Sequence, residues 1–160
     1  MNIYIMRHGE AGFDAPSDPE RPLTELGRQQ SLALVHHYLP QWQELDLVLV
    51  SPYVRTWQTW EAMRAQLPET ISAQVVPELV PETDPSLAAD VIIATAELAG
   101  AKNVLVVSHM PLVGYLISQL VPGQIPMMFA TAAVAHVQYD QTLASPSQLL
   151  SHLAPHDLVA

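Results

Sequence analysis

The chain predicts an α/β fold, a sandwich in which a mostly parallel central sheet is flanked by helices. Two observations carry this: short apolar runs alternate with longer helical segments, and the runs follow one another as β then α. With 160 residues the chain can bury one sizeable core and has little room for a second. A single domain over residues 1–160, without a large lid insertion, is therefore expected.

The elements follow in order. Asn2 to Met6 is an apolar opening strand, and Ala15 to Pro22 is proline-rich but short, a surface loop rather than a domain boundary. Thr24 can cap a helix running to about Leu39, because Leu26, Leu32, Val35 and Leu39 approximate one stripe before Pro40 stops it. Asp46 to Val50 is the second strand. The next helix takes Pro52 into its first turn, with Tyr53, Trp57, Trp60 and Leu67 at i, i+4, i+7 and i+14 as the buried face. Ser72 to Val76 is a third strand, Pro85 to Leu98 a third helix and Asn103 to Val107 a fourth strand. A fourth helix begins near Pro111 and ends by Val121, where Pro122-Gly123 punctuates the chain. Met127 to Tyr139 and Gln148 to Leu153 are expected as later strands.

Composition narrows the function. Hydrophobic residues reach 49%, too apolar for disorder, yet no apolar run is long enough to cross a bilayer. The opening NIYIM lacks the basic region and long apolar segment of a secretory signal, so a cytoplasmic location is the expectation. There is no cysteine, which removes disulfides and thiolate metal sites. A net charge of −10 argues against a nucleic-acid surface, which needs clustered cations. The six basic residues are Arg7, Arg21, Arg28, Arg55, Arg64 and Lys102. Screening over about 8 Å at physiological salt lets a small arginine cluster hold an anion despite the acidic whole.

The chemistry gathers at strand ends. In open parallel α/β sheets, ligand groups lie beyond the carboxyl ends of the strands, and three segments place polar residues there: Arg7-His8, Ser51 to Arg55, and Ser108-His109. Arg55 is two residues from Trp57, about 200° around a helix, so it points away from the core and toward the crevice. A histidine beside a permanently charged guanidinium suits phosphoryl transfer with histidine as nucleophile. Plainer roles stand beside these: His109 as a satisfied core histidine, Arg55 as a surface arginine, Arg21 as solvated loop charge. Ser51 and Ser108 read as caps or turn-formers, since neither sits in a Gly-x-Ser-x-Gly elbow. Trp57 and Trp60 read as core packing, while Met127, Met128 and Phe129 suit either the crevice or the core. No metal site is expected, because His36-His37 lack i, i+4 spacing and His136, His152 and His156 stand alone.

These segments resemble the histidine phosphatase superfamily, of phosphoglycerate mutase-like fold. The resemblance runs through Arg7-His8-Gly9, the stretch Arg21 to Gly27, the stretch Ser51 to Thr59, and Val107-Ser108-His109, in order. The short length and the SDPERPLT, PELVP, HMPLVGYL and MFATAAVA segments look like SixA-type phosphohistidine phosphatases, fading after about Leu153. The resemblance implies a cofactor-independent, metal-independent hydrolase in which His8 carries a transient phosphoryl group. Arg7, Arg55 and His109 would contact its oxygens, with Arg21 a further substrate contact or a contact to the partner protein. It implies as substrate a histidine-phosphorylated phosphotransfer domain or phosphocarrier protein of a signalling phosphorelay; a monomer is the expected state. Glu78 falls near the place where relatives acting on phosphate esters carry an acid; it could donate a proton, activate water, or be a solvated residue after a strand. A small-molecule phosphomonoesterase of the same fold and a non-catalytic phosphate-binding module are the alternatives.

Overall fold

The computed structural model describes residues 1–142 and 144–158; Leu143, Val159 and Ala160 of the expected domain lie outside the described residues. Ten main elements alternate: β1 (Asn2–Arg7), α1 (Glu25–Trp42), β2 (Leu47–Val50), α2 (Val54–Arg64), β3 (Ser72–Val75), α3 (Pro85–Leu98), β4 (Asn103–Ser108), α4 (Leu112–Leu120), β5 (Val134–Gln138) and β6 (Gln148–Leu153). They form one six-stranded sheet in the order β3-β2-β4-β1-β5-β6. The β3-β2-β4-β1 half is parallel, and β5 and β6 add antiparallel pairings at one side. The α/β class and mostly parallel sheet are as expected.

Strand alternation sends side chains to two cores, one on each face of the sheet. Ile3, Ile5, Leu47, Leu49, Val104 and Val106 pack with α3 and α4 on one face. Tyr4, Met6, Val48, Val50, Leu105 and Val107 pack with α1 and α2 on the other. Register then aligns the site: Arg7 pairs with Ser108, and Val50 with Val107, so β1, β4 and β2 end together and the residues that follow them share one edge.

Several expectations are corrected in detail. Pro40 lies inside α1, which runs on to Trp42. A proline there removes one N–H, and burying the Trp42 ring in a stack on Tyr38, 4.9 Å between centroids, holds the last turn. The buried stripe of α1 is Gly27, Ser31, Leu34, Val35, Tyr38 and Trp42, rotated from the expected one; Leu26 is exposed. Small residues at Gly27 and Ser31 hid this face from a hydrophobicity pattern. Thr24 caps the helix as expected, its hydroxyl oxygen accepting from the Gly27 N–H at 3.0 Å.

Pro52 lies before α2 rather than in its first turn, because Tyr53 is the N-cap. The buried face of α2 is Arg55, Thr56, Thr59, Trp60 and Met63; Trp57 is half-buried. The long strand expected over Met127 to Tyr139 is confined to Val134–Gln138. The preceding residues instead fold over the strand ends, with the Met127 N–H donating to the Gly114 carbonyl of α4 at 3.3 Å and the Ala132 N–H to the His8 carbonyl at 2.9 Å. A side chain at Gly114 would collide with the Met127 carbonyl, which accounts for glycine in the first turn of α4. Among the described residues no helix is long and apolar enough to cross a membrane.

Candidate active site

His8 is the first residue past β1, and its backbone is tied on both sides. Its N–H donates to the Ser108 carbonyl at 3.0 Å, and its carbonyl accepts from Ala132. Ala132 has φ of 61°, an unusual conformation for a residue with a side chain, and marks the tight turn that brings residues 129–133 across the strand ends. The next residue must be glycine, because a Cβ on Gly9 would run into the Gly27 carbonyl. Gly27 is likewise pressed on the backbone of Glu10. The loop after β1 thus seats directly on the first turn of α1, which joins the Arg7-His8-Gly9 and Arg21 to Gly27 segments physically.

The His8 ring is nearly buried, at 6% exposure. Its Nδ1 lies 2.6 Å from the Gly9 carbonyl oxygen, which can only accept. Nδ1 therefore carries the proton, and Nε2 is left with a free lone pair. Burial lowers its pKa to about 4, opposed by the Gly9 bond and reinforced by Arg55, Arg7 and Arg21. The ring is neutral near pH 7, which is the form a nucleophile needs.

Three guanidinium groups surround this ring. Arg7, at the end of β1, donates from Nη1 to the Phe129 carbonyl at 2.8 Å. Arg55, in the first turn of α2, is 4% exposed and donates to Asp18 twice, to its backbone carbonyl at 2.7 Å and to Oδ2 at 3.2 Å. Arg21 donates from Nε to the Gly12 carbonyl at 2.9 Å and from Nη1 to Asp18 Oδ1 at 3.0 Å, with its plane 4.0 Å over the Phe13 ring. The Asp18 carboxylate, held below its ordinary range chiefly by Arg21, links two of the three arginines. The expected loop over Ala15 to Pro22 hides this element: Asp18–Glu20 form one 3-10 turn. The sequence marks Asp18 only weakly, as an acid three residues ahead of a candidate arginine.

His109, just past β4, is 1% exposed, with its ring centroid 5.3 Å from that of His8. Burial, then His8, Arg55 and Arg7, push its pKa far down, so it too is neutral. Its Nε2 is 2.8 Å from Ser51 Oγ. His109 Nδ1, Arg7 Nε and Arg55 Nε are buried nitrogens without a hydrogen-bond partner among the described residues. Arginine cations gathered around a neutral imidazole suit a tetrahedral oxyanion.

Placement of the remaining candidates is mixed. The structure brings Arg7, His8, Arg55, His109 and Arg21 to one edge. Glu78 sits in a 3-10 turn after β3, half-buried, and makes no side-chain hydrogen bond or ion pair among the described residues. That turn is nevertheless tied to the site, since Ser108 Oγ donates to the Leu79 carbonyl at 2.7 Å. Phe129 is buried, whereas Met128 is 80% exposed beside a slot of about 140 Å³ also lined by Met110, Tyr115 and Met127. Trp60 is core, as expected.

Comparison with known proteins points to one family. The sequence model of the histidine phosphatase superfamily (branch 1) matches residues 3–80. The chain is 44% identical over 142 residues to the phosphohistidine phosphatase SixA of Escherichia coli K12, covering 89% of this chain and 88% of that protein. It is 35% identical over 163 residues to the SixA homolog of Haemophilus influenzae, covering 96% of each. Among solved structures, the protein histidine phosphatase SixA complexed with tungstate superimposes with a TM-score of 0.91 at 40% identity, over 99% of this chain and 100% of that one.

Proposed function

The chain belongs to the histidine phosphatase superfamily, and from that premise we propose that it is a phosphohistidine phosphatase acting on a histidine-phosphorylated phosphotransfer or phosphocarrier protein. The observation that carries this is the nearly buried His8 ring, whose Nδ1 is committed to Gly9 and whose Nε2 is free among three arginines.

The chemistry runs in two displacements. His8 Nε2 attacks phosphorus in line, the N–P bond to the substrate imidazole breaks, and that nitrogen leaves with its electron pair. Arg7, Arg55 and the His109 Nδ1–H hold the non-bridging oxygens, each charge-assisted bond contributing about 1.5–3 kcal/mol. Arg21, partly exposed, supports Arg55 through the Asp18 carboxylate that both hold, and is the further contact to substrate or to the partner protein in this reading. Water then attacks the phosphoryl group on His8, giving inorganic phosphate and restoring the ring. The scheme draws on no metal or cofactor.

The first step exchanges one phosphoimidazole for another, so it is nearly balanced and needs no strong acid. An alkoxide leaving group would need one. Glu78, half-buried in the 3-10 turn after β3, remains the candidate acid or base. The chain lacks the length for an insertion covering the crevice, which suits a phosphorylated side chain presented by another protein. A cytoplasmic, monomeric enzyme belongs to the same proposal. Phosphate release from a phosphohistidine protein and from a generic ester, measured in parallel, tests it; release from the ester alone would transfer the assignment to small-molecule phosphomonoesterase, and release from neither would leave a phosphate-binding module.

A further inference from the structure

Ser51 directly follows β2 and is wholly buried. Its backbone is pinned, the N–H donating to the Val107 carbonyl at 3.1 Å and the carbonyl accepting from Thr56 Oγ1 at 3.0 Å. Its Oγ has two polar neighbours: the Tyr53 N–H at 3.3 Å and His109 Nε2 at 2.8 Å. An amide N–H can only donate, so it occupies one Oγ lone pair. Among the hydrogen bonds of the described residues, the hydroxyl hydrogen then has a single acceptor, the Nε2 lone pair. The reverse arrangement, Nε2–H donating to Oγ, would leave two buried groups unpaired, the hydroxyl hydrogen and the His109 Nδ1 lone pair, where the first leaves only the Nδ1–H, and each buried polar group left unpaired is costly.

Resting on the phosphatase reading above, we infer that Ser51 is a positioning residue for catalysis: its hydroxyl holds His109 as the Nδ1–H tautomer, so that a neutral ring presents a donor to the phosphoryl oxygens. His109 Nδ1 is the ring nitrogen left buried without a partner, as a donor awaiting substrate would be. The opposite tautomer would turn a lone pair on those oxygens instead. The Tyr53 ring, edge-on at 4.9 Å, packs against the same imidazole and keeps it from rotating away from Ser51. The two histidines of the site thereby share one tautomer set by opposite means. A carbonyl takes the His8 Nδ1 proton and frees Nε2 to attack, and a hydroxyl takes the His109 Nε2 lone pair and frees the Nδ1 proton to bind.

The test uses the full chain labelled with ¹⁵N-histidine, in the absence of substrate. Wild type should show His109 Nδ1 as pyrrole-type and Nε2 as pyridine-type at neutral pH. In Ser51→Ala the Nε2–H form should become populated, inorganic phosphate should bind about tenfold more weakly, and kcat on a phosphohistidine protein should fall about tenfold, the worth of one hydrogen bond. Ser51→Thr, which keeps the hydroxyl, should restore the tautomer. A protonated Nε2 in wild type overturns the assignment whether or not any variant folds. So does a Ser51→Ala protein whose tautomer shifts while phosphate binding and turnover stay unchanged, or whose turnover falls with the tautomer unmoved. Wild type that releases no phosphate from any substrate would fail the phosphatase reading, while the tautomer and phosphate-binding results would still decide the role of Ser51.

Discussion

Lowering the pH titrates His8, and the structure states where. Burial and three neighbouring guanidinium groups place its folded pKa at about 4, against about 6.5 for an exposed histidine. At pH 5.5 about 97% of His8 should therefore remain neutral, where an unperturbed ring would be only about 9% neutral. The same shift has a stability consequence. Because the folded pKa is depressed, the unfolded chain binds more protons between pH 6.5 and 4, so stability rises with pH across that window and is lost as pH falls through it. Integrating from pH 7 to 5, protonation of this residue in the unfolded chain lowers folding stability by about 2 kcal/mol. Wild type should lose about that much more stability over the interval than His8→Ala, by urea unfolding at each pH. The ring itself can be followed by NMR through its ¹⁵N shifts. A His8 midpoint near 6.5, or wild-type and variant stabilities that run parallel from pH 7 to 5, would refute the burial-plus-arginine explanation of a neutral nucleophile.

Other perturbations separate the parts of the site. Arg55→Ala should reduce kcat/KM on a phosphohistidine protein by about 10²- to 10³-fold, the loss of one or two charge-assisted bonds, and Arg55→Lys should recover little because a point charge cannot grip Asp18 at two atoms; recovery to wild-type rate by Lys would contradict the geometry. Arg21→Ala should cost only about tenfold in the same assay, since Arg21 acts on the site through the Asp18 carboxylate that it shares with Arg55; a loss equal to that of Arg55→Ala would place it in direct contact with phosphate. Gly27→Ala forces a Cβ onto the Glu10 backbone and should destabilise the fold by about 1–3 kcal/mol in urea unfolding; an unchanged midpoint would show that the loop after β1 yields.

Much of this site was legible before the structure because its chemistry is carried by residues that a core has no use for. Arg7, His8, Arg55 and His109 follow or end apolar strands, or open the helix after one, and parallel topology alone brings such positions to one edge. The parts that were not legible depend on contacts between segments distant in sequence. Asp18 bridges Arg21 and Arg55 only because the loop after β1 folds back on α2. Ser51 read as a cap, and its tie to His109 spans 58 positions. The α1 stripe was misplaced because its inner face begins with Gly27 and Ser31, chosen for close approach rather than hydrophobicity. The segment before β5 carries strand-like residues, yet its carbonyls and amides serve Arg7, His8 and Gly114 instead of a ladder.

The most direct test of the central claim follows phosphate release by purified wild type and His8→Ala, on a phosphohistidine-bearing phosphotransfer protein and on a generic phosphate ester, with acid-labile phosphate on the enzyme measured after rapid mixing. The account predicts preferential release from phosphohistidine by wild type, a phosphoryl group passing through His8, and neither turnover nor labelling in a folded His8→Ala protein. Turnover by His8→Ala at the wild-type rate would contradict it.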